Sequence, residues 1–456
     1  MKKIISQFLV IVAVWWGFTG CSLNVPPPDQ YADPDAISNV TSARAFLASC
    51  YISYPHYEYD LSVMGNDFCP TSLSGKDVNE LNVYNWQNKD LSTLADGVWQ
   101  NYYTCIANCD VLLERESNIA TGTTDEAEKK KAIIAEAKTL KAMAYFDLLR
   151  LFATRYSDNA DAPGVVIKSQ FGYETQPRST KRQCVSYINA LLANAAAADV
   201  AQSTNGWLSS LAAEYVQAEV SIYAGDYTAA LTHATAVMNA CNDSYLTPEA
   251  FQRLWRTDSY GGRIFAFSTK SAFYTTLQYD AAQGDLYALN PAMAFSTADG
   301  RRATSVYPMV MNGEERALFG KYNLMNKQGI SPVYINRMRF AGAYLMAAEA
   351  QARLGNDSEA RTTINHYLSL MGAEPLTESV TGEALINAIV DETCREFVGE
   401  GQNWFTLKRC GRSLPRLTRW GKGTASTIAP TDYRWTLPIP DSERRYNEQV
   451  SQNAGW

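Results

Sequence analysis

The stretch Ala135-Glu136-Ala137-Lys138-Thr139-Leu140-Lys141-Ala142, running on through Tyr145-Phe146-Asp147-Leu148 to Arg150, sets the architecture of this chain. Around it Ile133, Ala137, Leu140, Ala144, Leu148 and Leu151 recur at threes and fours, the period of one helix face. No Gly or Pro interrupts Asp125 to Phe152, so the spacing predicts one long helix with a wide apolar face.

Working outward, the same periodicity covers Ala43 to Ser53, Leu94 to Arg115, Thr180 to Ala198, Ser209 to Ala224, Tyr227 to Ala240, Asn336 to Leu354, Ser358 to Leu370 and Gly382 to Phe397. The chain is therefore mainly α. Two helix pairs share a turn pattern: Tyr223-Ala224-Gly225-Asp226-Tyr227 with Ala230-Leu231, and Arg353-Leu354-Gly355-Asn356-Asp357 with Ala360-Arg361. Gly supplies the left-handed cap and Ala permits close helix crossing, as in a tetratricopeptide hairpin. The copies lie about 130 residues apart rather than the ~34 of a tandem array, so they read as separate hairpins in a larger body. The alternating run Arg263-Ile264-Phe265-Ala266-Phe267-Ser268 predicts a strand, hence a little β-sheet.

The N-terminus is of another kind. Lys2-Lys3 precede an apolar run from Ile4 to Trp16, and Phe18-Thr19-Gly20-Cys21 closes it, the layout of a lipoprotein export signal. The run is shorter than the about 20 apolar residues a membrane-spanning helix needs. Residues 1–20 are accordingly expected to be removed and Cys21 to carry acyl chains, palmitate among them. Residues 21–36, with Pro26-Pro27-Pro28, read as an extended tether. The remainder, 37–456, reads as one domain with an N-terminal part to about 240 and a C-terminal part from about 241.

Composition narrows the function. Of the 456 residues, 46% are hydrophobic and 19% charged, which suits a folded body, while 40 Lys plus Arg against 47 Asp plus Glu gives a net charge of -7. Such a field repels polyanions, so nucleic acid is not an expected partner. The one basic stretch, Lys408-Arg409 through Arg412, Arg416, Arg419 and Lys422, reads as a solvated or internally paired surface. Cys105 and Cys109, four apart on a helix, sit too far apart for a disulfide and read as small buried hydrophobes. Three scattered histidines, His56, His233 and His366, supply neither a metal centre nor a His-based triad, and no cofactor motif is present. A carboxylate pair for glycoside hydrolysis follows no local spacing rule. A lipid-anchored glycosidase is thus the less favoured alternative to a non-catalytic protein.

Long segments of weak helical signal, Tyr54 to Ser92, Tyr245 to Ile335 and Gly411 to Ile439, are rich in aromatics, and loops of that length are normally functional. Flat rings flanked by amides suit a ligand that offers one apolar face to stack and a rim of groups that take hydrogen bonds. The candidate ligand-binding residues are Tyr84, Trp86 and Asn88 in the first segment and Tyr274, Tyr279 and Tyr287 in the second. Trp99, Tyr102, Tyr145 and Phe146, on helical faces, read as core, and Asp299 with Arg301 as a structural ion pair.

Four segments give the chain a resemblance to the SusD/RagB family of Bacteroidetes outer-membrane lipoproteins. They are Trp99-Gln100-Asn101-Tyr102-Tyr103 with Ile106 and Ala107-Asn108; Ala135 to Arg150; Arg339 with Tyr344-Leu345 and Ala348-Glu349-Ala350; and Arg395-Glu396-Phe397, Glu400-Gly401, Trp404-Phe405 and Leu407-Lys408-Arg409 with Pro438-Ile439-Pro440 and Asn453-Ala454-Gly455-Trp456. Gly342 departs from the pattern, standing where the family usually has Glu. Ser22-Leu23-Asn24 lacks the acidic residues that often direct surface export. The resemblance implies a SusD-like helical body seated on a SusC-like TonB-dependent outer-membrane transporter, acting as lid and first receptor for an oligosaccharide or polysaccharide. It would be lipid-anchored at the cell outer membrane and face outward. Relatives of the same kind take peptides instead, and aromatic and amide residues suit both ligands.

Overall fold

The computed structural model describes residues 36–71, 78–168, 170–172, 175–202, 206–255, 261–268, 287–311, 314–321 and 334–456. The signal, Cys21 and the tether lie outside the described residues, as do Tyr274 and Tyr279. Helices dominate, as expected. In chain order they are α1 (Val40–Ser53), α2 (Glu58–Met64), α3 (Val78–Tyr84), α4 (Asn88–Glu114), α5 (Thr124–Phe152), α6 (Lys181–Ala196), α7 (Ser210–Ala224), α8 (Tyr227–Asn239), α9 (Pro248–Arg253), α10 (Phe340–Arg353), α11 (Asp357–Leu370), α12 (Gly382–Glu396), α13 (Asn403–Arg409) and α14 (Asp441–Tyr446).

Helix α5 is the spine. Thr123 opens it with a capping box, its hydroxyl accepting from Glu126 N while the Glu126 side chain returns to Thr123 N. Every residue from Ile133 to Phe152 except Lys138 is buried, so the C-terminal part of the helix has no solvent face, which goes beyond the single apolar face its period predicts. Burying that half places four charges in the interior, and each finds a partner. Glu136 takes both Arg44 nitrogens at 2.8 Å and the Tyr51 hydroxyl at 2.9 Å. Lys141 pairs with Asp110 and Arg150 with Asp147. Asp147 also accepts from Tyr102 at 3.0 Å. Trp99, Tyr102, Tyr145 and Phe146 are core, as are Cys105 and Cys109.

From α5 each helix packs on the next, α6, α7, α8, α10 and then α11 and α12, while α1 and α4 cover its other side. The two hairpins, far apart in sequence, are therefore stacked. Ala218, Ala234 and Ala347 meet at one crossing, and Ile222, Ala230 and Ala350 at another, where the absence of bulk lets the backbones approach. Gly225 (φ 76°) and Gly355 (φ 84°) take the left-handed caps that their turns require.

The strands form four antiparallel pairs among the described residues: β1 (Phe68–Pro70) with β3 (Tyr287–Leu289), β2 (Arg263–Ser268) with β6 (Tyr334–Arg339), β4 (Val306–Met311) with β5 (Glu314–Phe319), and β7 (Leu414–Leu417) with β8 (Thr424–Ile428). Strand β2 lies where alternation placed it. The helix expected from Asn336 begins only at Phe340, because Asn336 to Arg339 pair with β2, Asn336 opposite Ala266 and Arg339 opposite Arg263. The first supposed loop is largely helical: α2, β1 and α3 occupy it, and α4 starts at Asn88.

Gly342 has a local cause. A β-carbon there would lie 2.0 Å from the Tyr215 hydroxyl, so the missing side chain is the space Tyr215 fills. The basic stretch is mostly internal: Arg409 binds Glu349, Arg412 reaches Asp391, Lys408 donates to the Arg150 and Ala153 carbonyls, and Arg416 to the Val63, Tyr84 and Gly65 carbonyls. Asp299 and Arg301 are the buried pair expected of them, joined at 2.6 Å, and Arg301 also holds Glu392 and Glu396.

Candidate functional site

Three of the four strand pairs gather at one end of the body: β1 touches β3 and β7, and β3 touches β5. Their shared underside is Cys69, Ala288 and Leu318, on which Tyr307, Leu417 and Trp420 lie half-buried. Trp420 sits in the turn between β7 and β8, with φ 61° and ψ 20°. Bulky residues rarely adopt this left-handed conformation, and such strain persists where the surroundings impose it, commonly at binding sites. Here Gly421 follows with φ 64°, and a β-carbon on it would strike Pro291 at 2.7 Å. The turn is closed by Thr418 N donating to Gly423 O at 2.8 Å and Gly421 N to Thr418 O at 3.0 Å.

Beside the Trp420 ring lies a cavity of about 290 Å³ whose walls include Asn290, Arg302, Glu315 and Arg316. The Arg316 guanidinium stands 5.2 Å over the ring centroid. Asn290 is committed to the frame, donating to Asn66 at 2.8 Å and accepting from Ala292 N. The rest of the polar rim is charged, Arg302, which donates to the Phe295 carbonyl at 3.1 Å, Glu315 and Arg316, set around one flat apolar surface, the division of labour a polyhydroxylated ligand needs.

The sequence-predicted residues lie close by but mostly beneath this surface. Tyr84 and Tyr287 are each 1% exposed, with ring centroids 5.8 Å apart. Tyr84 supports the turn from below: its hydroxyl accepts from Leu417 N at 2.9 Å, and Arg416 lies 4.4 Å over its ring. Burial pushes the Tyr84 phenol up while Arg416 pulls it down, and burial lowers Arg416 itself to about 10. Trp86 is wholly buried. It too has positive φ, 54°, but its ring is pinned, Nε1 donating to Met64 O at 3.0 Å and the plane meeting Trp435 edge-on at 4.8 Å. The expectation of an open Tyr84, Trp86 and Tyr287 is therefore corrected: α3 folds the segment inward, and the rings are worth more as core than as surface. Asn88 is exposed, as expected, with its amide on the Tyr433 hydroxyl at 2.7 Å. Tyr274 and Tyr279 lie outside the described residues.

Trp420 lies in the aromatic segment Gly411 to Ile439 but is not among the candidate ligand-binding residues expected from sequence. The signal was the Trp-Gly pair inside Arg419-Trp420-Gly421-Lys422-Gly423, where the surrounding cations drew the reading toward charge.

Residues 253–456 match the SusD family model. Over 120 residues the chain is 34% identical to the starch-binding protein SusD of Bacteroides thetaiotaomicron, a match spanning 26% of this chain and 21% of that protein. The fold is similar to that of a Bacteroides vulgatus protein proposed to bind sugar, with a TM-score of 0.78 and 21% identity over 92% of this chain and 99% of the other. A SusD superfamily protein of Bacteroides thetaiotaomicron gives 0.76 and 23%, covering 91% and 99%.

Proposed function

We propose that this chain is a member of the SusD family and, on that premise, a non-catalytic surface lipoprotein that captures oligosaccharide or polysaccharide and hands it to a SusC-like TonB-dependent transporter. The likeness to a starch-binding protein supports carbohydrate as the ligand class. Trp420 carries the reading within this chain: a tryptophan held in strained backbone, half-buried, beside a cavity that offers Arg316, Arg302 and Glu315. A pyranose would lay its C–H face on that ring and direct its hydroxyls at the charged rim, whose donors and acceptors form charge-assisted bonds. Acyl chains on Cys21 would moor the body to the outer membrane, with residues 21–36 as the leash and 37–456 as the single folded unit.

Calorimetry against polysaccharide, malto-oligosaccharide and oligopeptide panels tests the ligand class. Binding of at least one glycan, lost in Trp420→Ala, is expected; binding of peptides with silence toward every glycan overturns it. Metabolic labelling with a fatty-acid analogue, abolished by Cys21→Ala, tests the anchor.

A further inference from the structure

Inside the helical stack, α5, α7, α10 and α13 line a cavity of about 90 Å³. A second cavity of about 240 Å³ adjoins it, and Arg155, Ile222, Tyr223 and Arg409 line both, so the outer space forms a vestibule to the inner. The inner space exceeds the roughly 10–15 Å³ that one water requires.

Its wall is cationic. Arg150, Arg155, Arg337, Lys408 and Arg409 line it against only Glu219 and Glu349. Counting Asp147 and Asp158, which lie behind Arg150 and Arg155, the cations still exceed the acids, five to four. Those acids are already engaged. Arg337 holds Glu219 through both nitrogens at 3.0 Å, Arg409 and Arg353 share Glu349, and Arg155 holds Asp158 at 2.9 Å. Lys408 donates to the Arg150 and Ala153 carbonyls, at 2.6 and 2.8 Å, and lies 4.8 Å over the Trp404 ring, and burial pushes its ammonium well below the usual lysine range.

Two buried polar atoms on this wall have no protein partner among the described residues, Arg150 Nε and the Tyr223 hydroxyl. Arg150 is 7% exposed and clamped between Phe146 and Phe405, at 4.2 and 3.7 Å from the ring centroids, so its guanidinium cannot swing to solvent. A buried guanidinium donor without an acceptor is costly, and an oxygen carrying negative charge satisfies it best.

We propose that this cavity is a second binding site, for a small oxyanion such as a carboxylate or phosphate, held by Arg150 and Tyr223 and admitted past Arg155. It is independent of the Trp420 surface and of the glycan reading, since no residue lines both spaces.

The test uses the purified protein, with thermal melting and calorimetry in sodium phosphate or sodium acetate against sodium chloride at equal ionic strength, and bromide-soaked crystals read by anomalous scattering. Expected are a bromide peak beside Arg150 and a saturable stabilisation by phosphate or acetate beyond that of chloride. Tyr223→Phe, which deletes one hydroxyl, is expected to melt like the wild type in chloride and to bind the anion roughly tenfold more weakly. Arg155→Gln, at the half-open neck, is expected to weaken binding in the same direction. Equal behaviour in all three salts, or a phosphate shift that neither variant alters, would overturn the proposal while leaving glycan binding untouched.

Discussion

The Tyr84 hydroxyl accepts the backbone N–H of Leu417 at 2.9 Å across 333 positions of sequence. A residue near the N-terminal end of the fold thereby sets the height of the strand that leads into Trp420. Tyr84→Phe should keep the ring's packing and lose this bond, together with the longer one of 3.5 Å that the hydroxyl donates to Leu417 O, for a stability loss of about 1 kcal/mol by urea unfolding. Ligand affinity should fall even though Trp420 is unchanged, because the turn loses its support.

Trp420 itself separates strain from function. Trp420→Ala keeps the left-handed backbone and removes the platform, so affinity for a bound glycan should drop by about 1 to 3 kcal/mol in calorimetry. Trp420→Gly also removes the platform, yet it relieves backbone strain worth about 1 kcal/mol. Its melting temperature should therefore match or exceed that of Trp420→Ala. If the Gly variant is the less stable of the two, the turn is not strained in the way described.

Gly342 and Tyr215 should behave as a coupled pair. Gly342→Ala drives a methyl into the Tyr215 hydroxyl and should destabilise by about 1 to 3 kcal/mol. Adding Tyr215→Phe removes the nearest obstructing atom and should recover part of that loss, a coupling that a double-mutant cycle measures. Additive effects would mean that the two residues do not compete for the same space.

Glu349 links the hairpins to pH. Burial disfavours its charge, but Arg409 and Arg353 outweigh this and hold the carboxyl at about 2, below its usual 4.5. An acid depressed in the folded state contributes stability that is complete above its unfolded value and is lost as pH falls toward its folded one. Glu349→Gln should therefore cost about 3 kcal/mol at pH 7. The difference from wild type should shrink between pH 4.5 and 2, as denaturation at a series of pH values would read.

The helical body was legible because its signals are local. The unbroken period from Asp125 to Phe152, the Gly225 and Gly355 turns and the helical-face aromatics Trp99, Tyr102, Tyr145 and Phe146 all kept the roles their spacing implies. What failed was non-local. Asn336 to Arg339 have residues fit for a helix and became a strand because β2 offers hydrogen bonds 73 residues away. Trp86 and Trp420 look alike in sequence and share an unusual backbone, but Met64 and Trp435 enclose one, whereas the other stays half-buried, with the Arg316 guanidinium over its ring. Which tryptophan the fold leaves partly open is decided by tertiary contacts, which the local sequence does not carry.

The four interior charges of α5 act as a combination lock. A helix that slips by one residue turns about 100°, and the slip would part Glu136 from Arg44, Lys141 from Asp110, and the Asp147–Arg150 pair, which moves with the helix, from Tyr102 and Arg337 at once. Stranding that many ions in an apolar interior is prohibitive, so the spine admits one axial setting. Any rearrangement of the fold is then expected to run through the turns and strands at the periphery, while the helical stack stays still and transmits force without yielding.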